Sequence, residues 1–319
     1  MNAAEVFLQQ LINGLSNGMI IALIALGYTM VYGIIELINW AHGDLFMLGA
    51  FLALTLLGVF GLSEVAGLGA GGTIVVLLLT SALFCGSMNL LVDRVAYRPL
   101  RKAPKLTLLV TAIGVSFTFV NLGLFWGGVP MEVFSNGVAA AAPKDFPALV
   151  PTRSVLGSDE GVHVTLRDVL VVAVTVPLMI ALWWLVARTK LGKAMRAVAQ
   201  NPTAASLMGI NTDRVIGATF FIGGALGGFA SVVYSLYNNT ISFQMGYRAG
   251  MDAFTAAVFG GIGSLPGAVL GGLVIGVARA MSDQYLEARW TNTIVFAILI
   301  LILIFRPSGL LGLKAKEKV

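Results

Sequence analysis

A polar cluster at Asn39, His42 and Asp44 interrupts an otherwise apolar stretch in the first half of the chain. An imidazole two residues from a carboxylate could act as an acid–base pair. No nucleophile or metal-ligand set accompanies the pair in sequence, and the other histidine, His163, lies far along the chain. An enzymatic site is therefore disfavoured. Two interpretations remain: a discontinuous helix that lines a translocation path, or a turn in which Asn39 and Asp44 cap helix ends.

Polar and helix-breaking residues also interrupt the last third of the chain. Asp252 lies at the start of an apolar stretch, where a carboxylate either favours a helix N-terminus or forms a gate for a solute. Gly263 and Pro266 lie within GGIGSLPGAVLGG and predict that residues 251–281 form a hairpin of two short helices. As a hypothesis, these three residues and the first polar cluster line one translocation path.

The chain shows no motif for an energy source of its own. Residues 191–194, LGKA, resemble the end of a phosphate-binding loop only superficially, because the preceding glycine and the Ser or Thr after Lys193 are missing. We therefore predict no cofactor in this chain. If transport is active, ATP and magnesium bind to separate ATPase subunits.

Composition places the chain in the membrane. Its 319 residues are 58% hydrophobic with a mean hydropathy of +0.91, which is typical of a polytopic α-helical membrane protein and predicts one permease domain over residues 1–319. The single cysteine, Cys85, excludes an intramolecular disulfide and is predicted to be buried. Apolar spans of the required length, about 20 residues, are predicted at residues 11–35, 45–62, 72–92, 106–126, 169–187 and 215–237, followed by 251–281 as the hairpin and 291–305.

Basic clusters predict the orientation, since no Lys or Arg precedes Arg94 and the net charge is +5. By the positive-inside rule, these clusters lie in the cytoplasm, so the N-terminus is external and the C-terminus cytoplasmic. The parity of crossings then requires the hairpin and gives eight or nine helices; whether the hairpin crosses fully or is re-entrant stays open. Residues 127–167 become an external loop with little regular structure. The clusters comprise Arg94, Arg98, Arg101, Lys102 and Lys105; Lys190, Lys193, Arg196 and Arg214; and Arg306, Lys314, Lys316 and Lys318.

The loop over residues 188–214 contains signals for two short helices. The first is predicted over residues 192–199 and contains Arg196. The second has Asn201 as its N-cap, Pro202 at its first position and Gly209 as a left-handed terminator. Such well-defined structure in a cytoplasmic loop indicates a docking element for a partner.

Separated motifs resemble one family nearly end to end, the high-affinity branched-chain amino acid permeases of bacterial ABC importers. Within that family the chain resembles the first of two paired permeases. The motifs are GYTMVYGIIELINWAHGDLFMLGAF at residues 27–51, RVAYRPLR at 94–101, LGKAMRAVAQNPTAASLMGINTDRVI at 191–216, AGMDAFTAAVFGGIGSLPGAVLGGLVIG at 249–276 and RPSGLLG at 306–312.

The resemblance implies a type II ABC-importer-like permease in the bacterial inner membrane. It implies a heterodimer with a second permease, two ATP-binding subunits inside, and an external solute-binding protein that delivers leucine, isoleucine or valine. Ala204, Ala205 and Gly209 match the alanine–alanine–glycine signature of the importer coupling loop, whereas the usual preceding glutamate is replaced by Thr203. The small alanines are expected to pack against a cleft of the ATPase.

Two alternatives to this function stay open at the level of sequence. Relatives with the same motifs carry urea or short amides, so the substrate is less firmly implied than the family. An autonomous channel or an ion-coupled carrier is disfavoured, because the uninterrupted predicted spans contain no ionisable group between their flanks.

Overall fold

The computed structural model describes residues 2–36, 39–60, 69–101, 103–155 and 161–312. A π-helical turn, Asp93–Tyr97, continues α3, and two short strands pair antiparallel: β1 (Lys144–Asp145) and β2 (Thr240–Ile241). The α-helices are α1 (Ala3–Ile35), α2 (Ala41–Phe60), α3 (Gly69–Val92), α4 (Lys105–Gly127), α5 (Leu166–Arg188), α6 (Lys190–Gln200), α7 (Pro202–Leu207), α8 (Thr212–Asn238), α9 (Met245–Gly260), α10 (Leu265–Tyr285) and α11 (Ala288–Phe305).

Eight helices in the described part of the chain are long and apolar enough to cross a membrane: α1, α2, α3, α4, α5, α8, α10 and α11. The predicted all-α polytopic fold is confirmed. The largest difference near the polar cluster is the start of α2, which begins at Ala41 rather than at residue 45. His42 and Asp44 therefore belong to a spanning helix, and the expectation that this span contains no ionisable group is wrong.

The predicted hairpin is confirmed as α9 and α10, with a turn at residues 261–264 between them. Gly261 and Gly263 have φ of 105° and 93°, a region that favours glycine. The Ser264 side chain then accepts a hydrogen bond from the Gly267 backbone N–H and caps α10. At 16 residues, α9 is about 24 Å long, shorter than the roughly 30 Å hydrocarbon layer.

Two antiparallel helix pairs form the centre of the structure, and both depend on glycine. In the first pair, a Cβ placed on Gly276 of α10 would lie 2.3 Å from the Cα atom of Gly18 of α1. In the second pair, a Cβ on Gly228 of α8 would lie 2.3 Å from the Ser81 carbonyl oxygen of α3. Since lipid gives helices no hydrophobic reason to associate, such close backbone contact supplies the van der Waals energy that holds them together.

The contacts between helices have an approximate internal symmetry. Exchanging α1 with α8, α2 with α9 and α3 with α10 gives nearly the same set of helix–helix contacts. Under this exchange the α1–α10 pair becomes the α3–α8 pair, and α2 contacts α9 between them. The matched helices follow in the same order along the chain, but α1 runs from the loop end to the basic end and α8 runs the opposite way. The sequence shows no corresponding repeat, because the symmetry lies in which helices touch and not in the identities of their residues.

The molecule has two distinct ends. We call the end that contains Arg98 and Arg101 the basic end, and the end that contains the α4–α5 loop the loop end. At the basic end, Arg101 pairs with both Asp93 and Asp213 at 2.6 Å, and Arg98 also pairs with Asp213. At the loop end, Gln9 of α1 binds the backbone of His163, and Gln10 binds Gln284 of α10. The start of α1 therefore lies opposite the basic clusters.

The loop between α4 and α5 is packed rather than loose. Phe134, in a 3₁₀ segment (Glu132–Gly137), is fully buried and stacks on Phe51 of α2 at 5.9 Å. The Lys144 ammonium group is buried and donates to backbone carbonyls of the same loop, including that of Phe134 at 3.1 Å. The prediction of little regular structure holds for the described part, but the loop has a core contact that its sequence did not reveal.

Several predicted residues lie outside the described part of the chain. They are Lys102, Lys314, Lys316 and Lys318 of the basic clusters. Arg306 is described, and the segment after it returns to the α9–α10 turn. There the Leu310 and Leu311 N–H groups donate to the carbonyls of Phe259 and Gly260.

We predict that Gly276→Ala destabilises the chain by about 1–3 kcal/mol, because the added methyl group must separate α1 from α10. Gly71→Ala is the matched control, since a Cβ there meets no atom within 4 Å. The buried thiol of Cys85 reports unfolding through a thiol-reactive dye. Gly276→Ala should lower the midpoint of the thermal transition and Gly71→Ala should not; equal midpoints would contradict the role of this contact.

Candidate functional site

The starts of α2 and α9 meet inside the protein. A Cβ on Gly43 would lie 2.4 Å from the Gly246 carbonyl oxygen, and one on Gly246 would lie 2.7 Å from the Gly43 carbonyl oxygen. Only glycine allows this crossing. Both helices therefore begin at depth, where non-helical backbone is tolerated because protein surrounds it. Discontinuous helices of this kind are where transporters commonly bind solutes.

Asn39 is held in a buried hydrogen-bond network just before α2. Its Nδ2 donates to Asn89 Oδ1 at 3.1 Å, and its Oδ1 accepts from the Tyr97 hydroxyl at 2.8 Å. Asn89 in turn donates to the Phe220 carbonyl oxygen at 2.7 Å. The network joins the α1–α2 connection to α3 and α8. The predicted helix cap is not present at Asn39, because its side chain bonds distant residues instead of the next turn.

His42 is fully buried, with its ring edge-on to Tyr28 at 4.8 Å. A Cβ on Gly27 would lie 2.3 Å from His42 Nε2, so the ring fills the space against α1. Neither ring nitrogen has a hydrogen-bond partner among the described residues. Buried polar groups are normally satisfied, and exceptions concentrate at functional sites.

Asp44 lies one turn into α2 and is 3% exposed. One carboxylate oxygen accepts from the Ser116 hydroxyl of α4, and the other has no partner among the described residues. The side chain borders a cavity of about 30 Å³ with Trp40 and Gly246, large enough for a single water molecule. In this conformation an amino acid does not fit at Asp44.

Asp252 has a different role from the predicted helix cap, because α9 already begins at Met245. Its Oδ1 atom accepts from Arg279 Nη1 of α10 at 2.7 Å. This ion pair lies on the wall of a cavity of about 260 Å³ between α1, α8, α9 and α10 in the half of the protein toward the loop end. Sequence reasoning missed Arg279, although an arginine inside the stretch 251–281 was a signal for an intramembrane site.

Gly263 and Pro266 lie apart from the other predicted path residues. Gly263 lies in the α9–α10 turn and Pro266 in the first turn of α10, both at the basic end, where a Cβ on Gly33 of α1 would lie 3.5 Å from the Cα atom of Gly263. A cavity of about 120 Å³ separates this turn from Arg196 of α6. The structure therefore divides the predicted path into the α2 start, the Asp252 cavity and the turn at the basic end.

The loop over residues 188–214 forms the two predicted helices, α6 and α7. The Asn201 side chain accepts from the Ala204 N–H at 2.9 Å, Pro202 is at the first position of α7, and Gly209 ends the turn with φ of 83°. Arg196 donates to the Val186 carbonyl oxygen and ties α6 back to α5. The local geometry is thus as predicted, because capping and φ preferences are determined by neighbouring residues.

The outward face of α7 is formed by larger side chains than the two alanines. Ala205 is 5% exposed and packs within its own chain, and its contact with an ATPase cleft stays a prediction. Ala204 is exposed, and Leu207 and Met208 are each 83% exposed. Sequence periodicity cannot identify the outward face of a helix of only six residues.

Comparison with known proteins identifies what the chain is similar to. The family model described as branched-chain amino acid transport system, permease component, matches residues 10–304. The high-affinity branched-chain amino acid transport system permease protein BraD of Pseudomonas aeruginosa is 41% identical over 318 residues, covering 98% of each chain. LivH of Escherichia coli K12, with the same description, is 40% identical over 321 residues and also covers 98% of each. No solved structure matches the chain.

We predict that Asn39→Ala destabilises the chain by about 1–3 kcal/mol, since it leaves Asn89 and Tyr97 buried without their partner. Asn121→Ala is the matched control, because Asn121 is exposed and bonds only a carbonyl in its own helix. Thiol-dye melting through Cys85 measures both variants. A stable Asn39→Ala chain that fails to transport would instead place Asn39 on the translocation path.

Proposed function

This chain belongs to the permease family of branched-chain amino acid transport systems, and from this premise we propose its role in an importer. It is a multi-pass membrane subunit that moves leucine, isoleucine or valine inward, and not an enzyme. ATP hydrolysis takes place on separate subunits, which hold ATP and magnesium. The exposed coupling helix α7 is the observation that supports this role most directly.

The α7 surface has the character of a docking site. Leu207 and Met208 are large apolar side chains with almost no cover from their own chain. At the cytoplasmic face such side chains favour burial in an apolar cleft of a partner. Gly209 fixes the turn that presents them, since its positive φ would strain other residues.

Movement at α7 has a physical connection to the membrane helices. α6 is held to α5 by Arg196 and by Thr189, whose hydroxyl accepts from the Gly192 N–H at 3.1 Å. The same region borders the α9–α10 turn across the 120 Å³ cavity. We assign Gly263 and Pro266 to the connection between α6 and the membrane helices. His42, Asp44 and Asp252 are the candidate path residues, and they lie on α2 and α9, which this connection would move.

The proposed partners are a second homologous permease, two ATP-binding subunits at the basic end and an external solute-binding protein. The outer helices α4, α5 and α11 are mostly exposed, and their apolar surfaces fit lipid and the second permease. The names of the relatives do not favour the urea or amide alternative. An autonomous channel would leave α7 without a function.

The coupling proposal predicts that Leu207→Asp weakens ATPase association about tenfold or more, because a charge cannot enter an apolar cleft without loss of hydration. Gly209→Val should act similarly by straining the turn. Val138→Asp is the control, because Val138 is also apolar and 70% exposed but lies in the loop between α4 and α5. Co-purification of the ATPase and ATP-driven leucine uptake in proteoliposomes measure the effect.

Wild-type chain with its partners should import leucine, and the chain alone should not. Uptake by the chain alone would establish the channel instead. Normal association and uptake in both α7 variants would refute docking at α7 and make the Arg94–Arg101 region the next surface to test.

The orientation proposal places the basic end in the cytoplasm. In a Cys85→Ala background, Ala3→Cys should react with an impermeant maleimide from outside intact cells. Lys193→Cys, exposed on α6, should react only after permeabilisation. The reverse pattern would invert the orientation.

A further inference from the structure

The 260 Å³ cavity at the loop end has an unusual combination of walls. One wall is aliphatic and comes from Ile20, Ile21 and Ile24 of α1. The others carry two arginines and two aspartates from α9 and α10. These charged residues are Arg248, Asp252, Arg279 and Asp283.

The charges on the cavity wall are only partly compensated. Arg279 and Asp252 form the 2.7 Å ion pair, with side chains 26% and 11% exposed. Arg248 has no ion-pair partner among the described residues. Asp283 accepts a hydrogen bond from the Thr291 hydroxyl and likewise forms no ion pair in that part of the chain. Among the described residues, the cavity thus has one cation and one anion without an ion-pair partner, both exposed, beside the Arg279–Asp252 pair.

We propose that this cavity is a binding site for a zwitterionic α-amino acid with an aliphatic side chain. The carboxylate binds Arg248, the ammonium binds Asp283, and the side chain contacts the isoleucine wall. Because Arg248 and Asp283 are both exposed, they remain charged at the rim of the cavity. A zwitterion can pair with both through charge-assisted hydrogen bonds without adding net charge to the cavity. The volume suits a molecule of the size of leucine.

The position of the cavity gives the site a place in transport, and this inference rests on the proposed function. The cavity lies toward the loop end, which is external in the proposed orientation, and borders the start of α9 at Met245. A solute released from an external binding protein would reach this cavity before it reached Asp44, where the space of about 30 Å³ is too narrow for it. The Asp252–Arg279 pair then positions α9 against α10 beside the bound solute.

The test uses the complete importer in lipid nanodiscs without its solute-binding protein. Radiolabelled leucine is titrated into the millimolar range. Two analogues, each of which lacks one of the two charged groups of leucine, measure the contribution of each group to binding. 4-Methylpentanoate lacks the ammonium, and 3-methylbutylamine lacks the carboxylate. We expect saturable leucine binding, with each analogue weaker by about tenfold or more, since charge-assisted hydrogen bonds are the strong ones.

Variants identify which charge each residue recognises. Arg248→Gln should weaken leucine about tenfold but leave 3-methylbutylamine unchanged, because that amine has no carboxylate. Asp283→Asn keeps an acceptor for Thr291 and should weaken leucine but not 4-methylpentanoate. Arg248→Lys should restore part of the leucine affinity. Arg289→Gln is the control, since Arg289 is exposed, pairs with Glu287 and lies outside the cavity.

The outcomes distinguish this site from the function as a whole. If the wild-type complex binds no leucine yet imports it with ATP and the binding protein, the site is refuted and the proposed function stands. Leucine affinity unchanged in both Arg248→Gln and Asp283→Asn also refutes the site. Absence of ATP-driven uptake by the wild-type complex would contradict the proposed function itself.

Discussion

Close contact between helix backbones through glycine is the constraint on which the rest of this structure depends. In lipid, helices gain little from burying apolar surface against one another, so association requires van der Waals contact at short range. Gly276 against Gly18 and Gly228 against Ser81 bring the two central helix pairs to that range. These pairs hold α2 and α9 between them. α2 and α9 also cross in backbone contact, at Gly43 and Gly246, where a side chain would not fit.

The glycine framework also explains where charge is tolerated. Two helices that begin inside the protein leave room for polar side chains, and the structure uses that room in two different ways. Near Asp44 the space is closed and holds at most one water molecule. Near Asp252 the space is wide, and an ion pair lines it. The 30 Å³ cavity at Asp44 and the 260 Å³ cavity at Asp252 lie on opposite sides of α9, so a shift of that one helix would change both.

Sequence could predict the features that depend on local chemistry. Apolar length predicted the spans, Gly263 and Pro266 predicted the hairpin, and Asn201 with Gly209 predicted the bounds of α7, because each depends on neighbours in the chain. Sequence could not predict features that depend on distant partners. The bond from Asn39 to Asn89 links positions 50 residues apart, and that from Arg279 to Asp252 links positions 27 residues apart. Local periodicity carries no signal for either.

The central claim is that α2 and α9 both begin inside the membrane domain and meet at Gly43 and Gly246. A cryo-electron microscopy reconstruction of the complete importer in lipid nanodiscs tests this claim most directly. We expect density for two helix starts in backbone contact within the bilayer, with non-helical chain leading into each. A helix that continues unbroken across the bilayer in place of α9, or a separation of the two glycines beyond contact, would contradict the account.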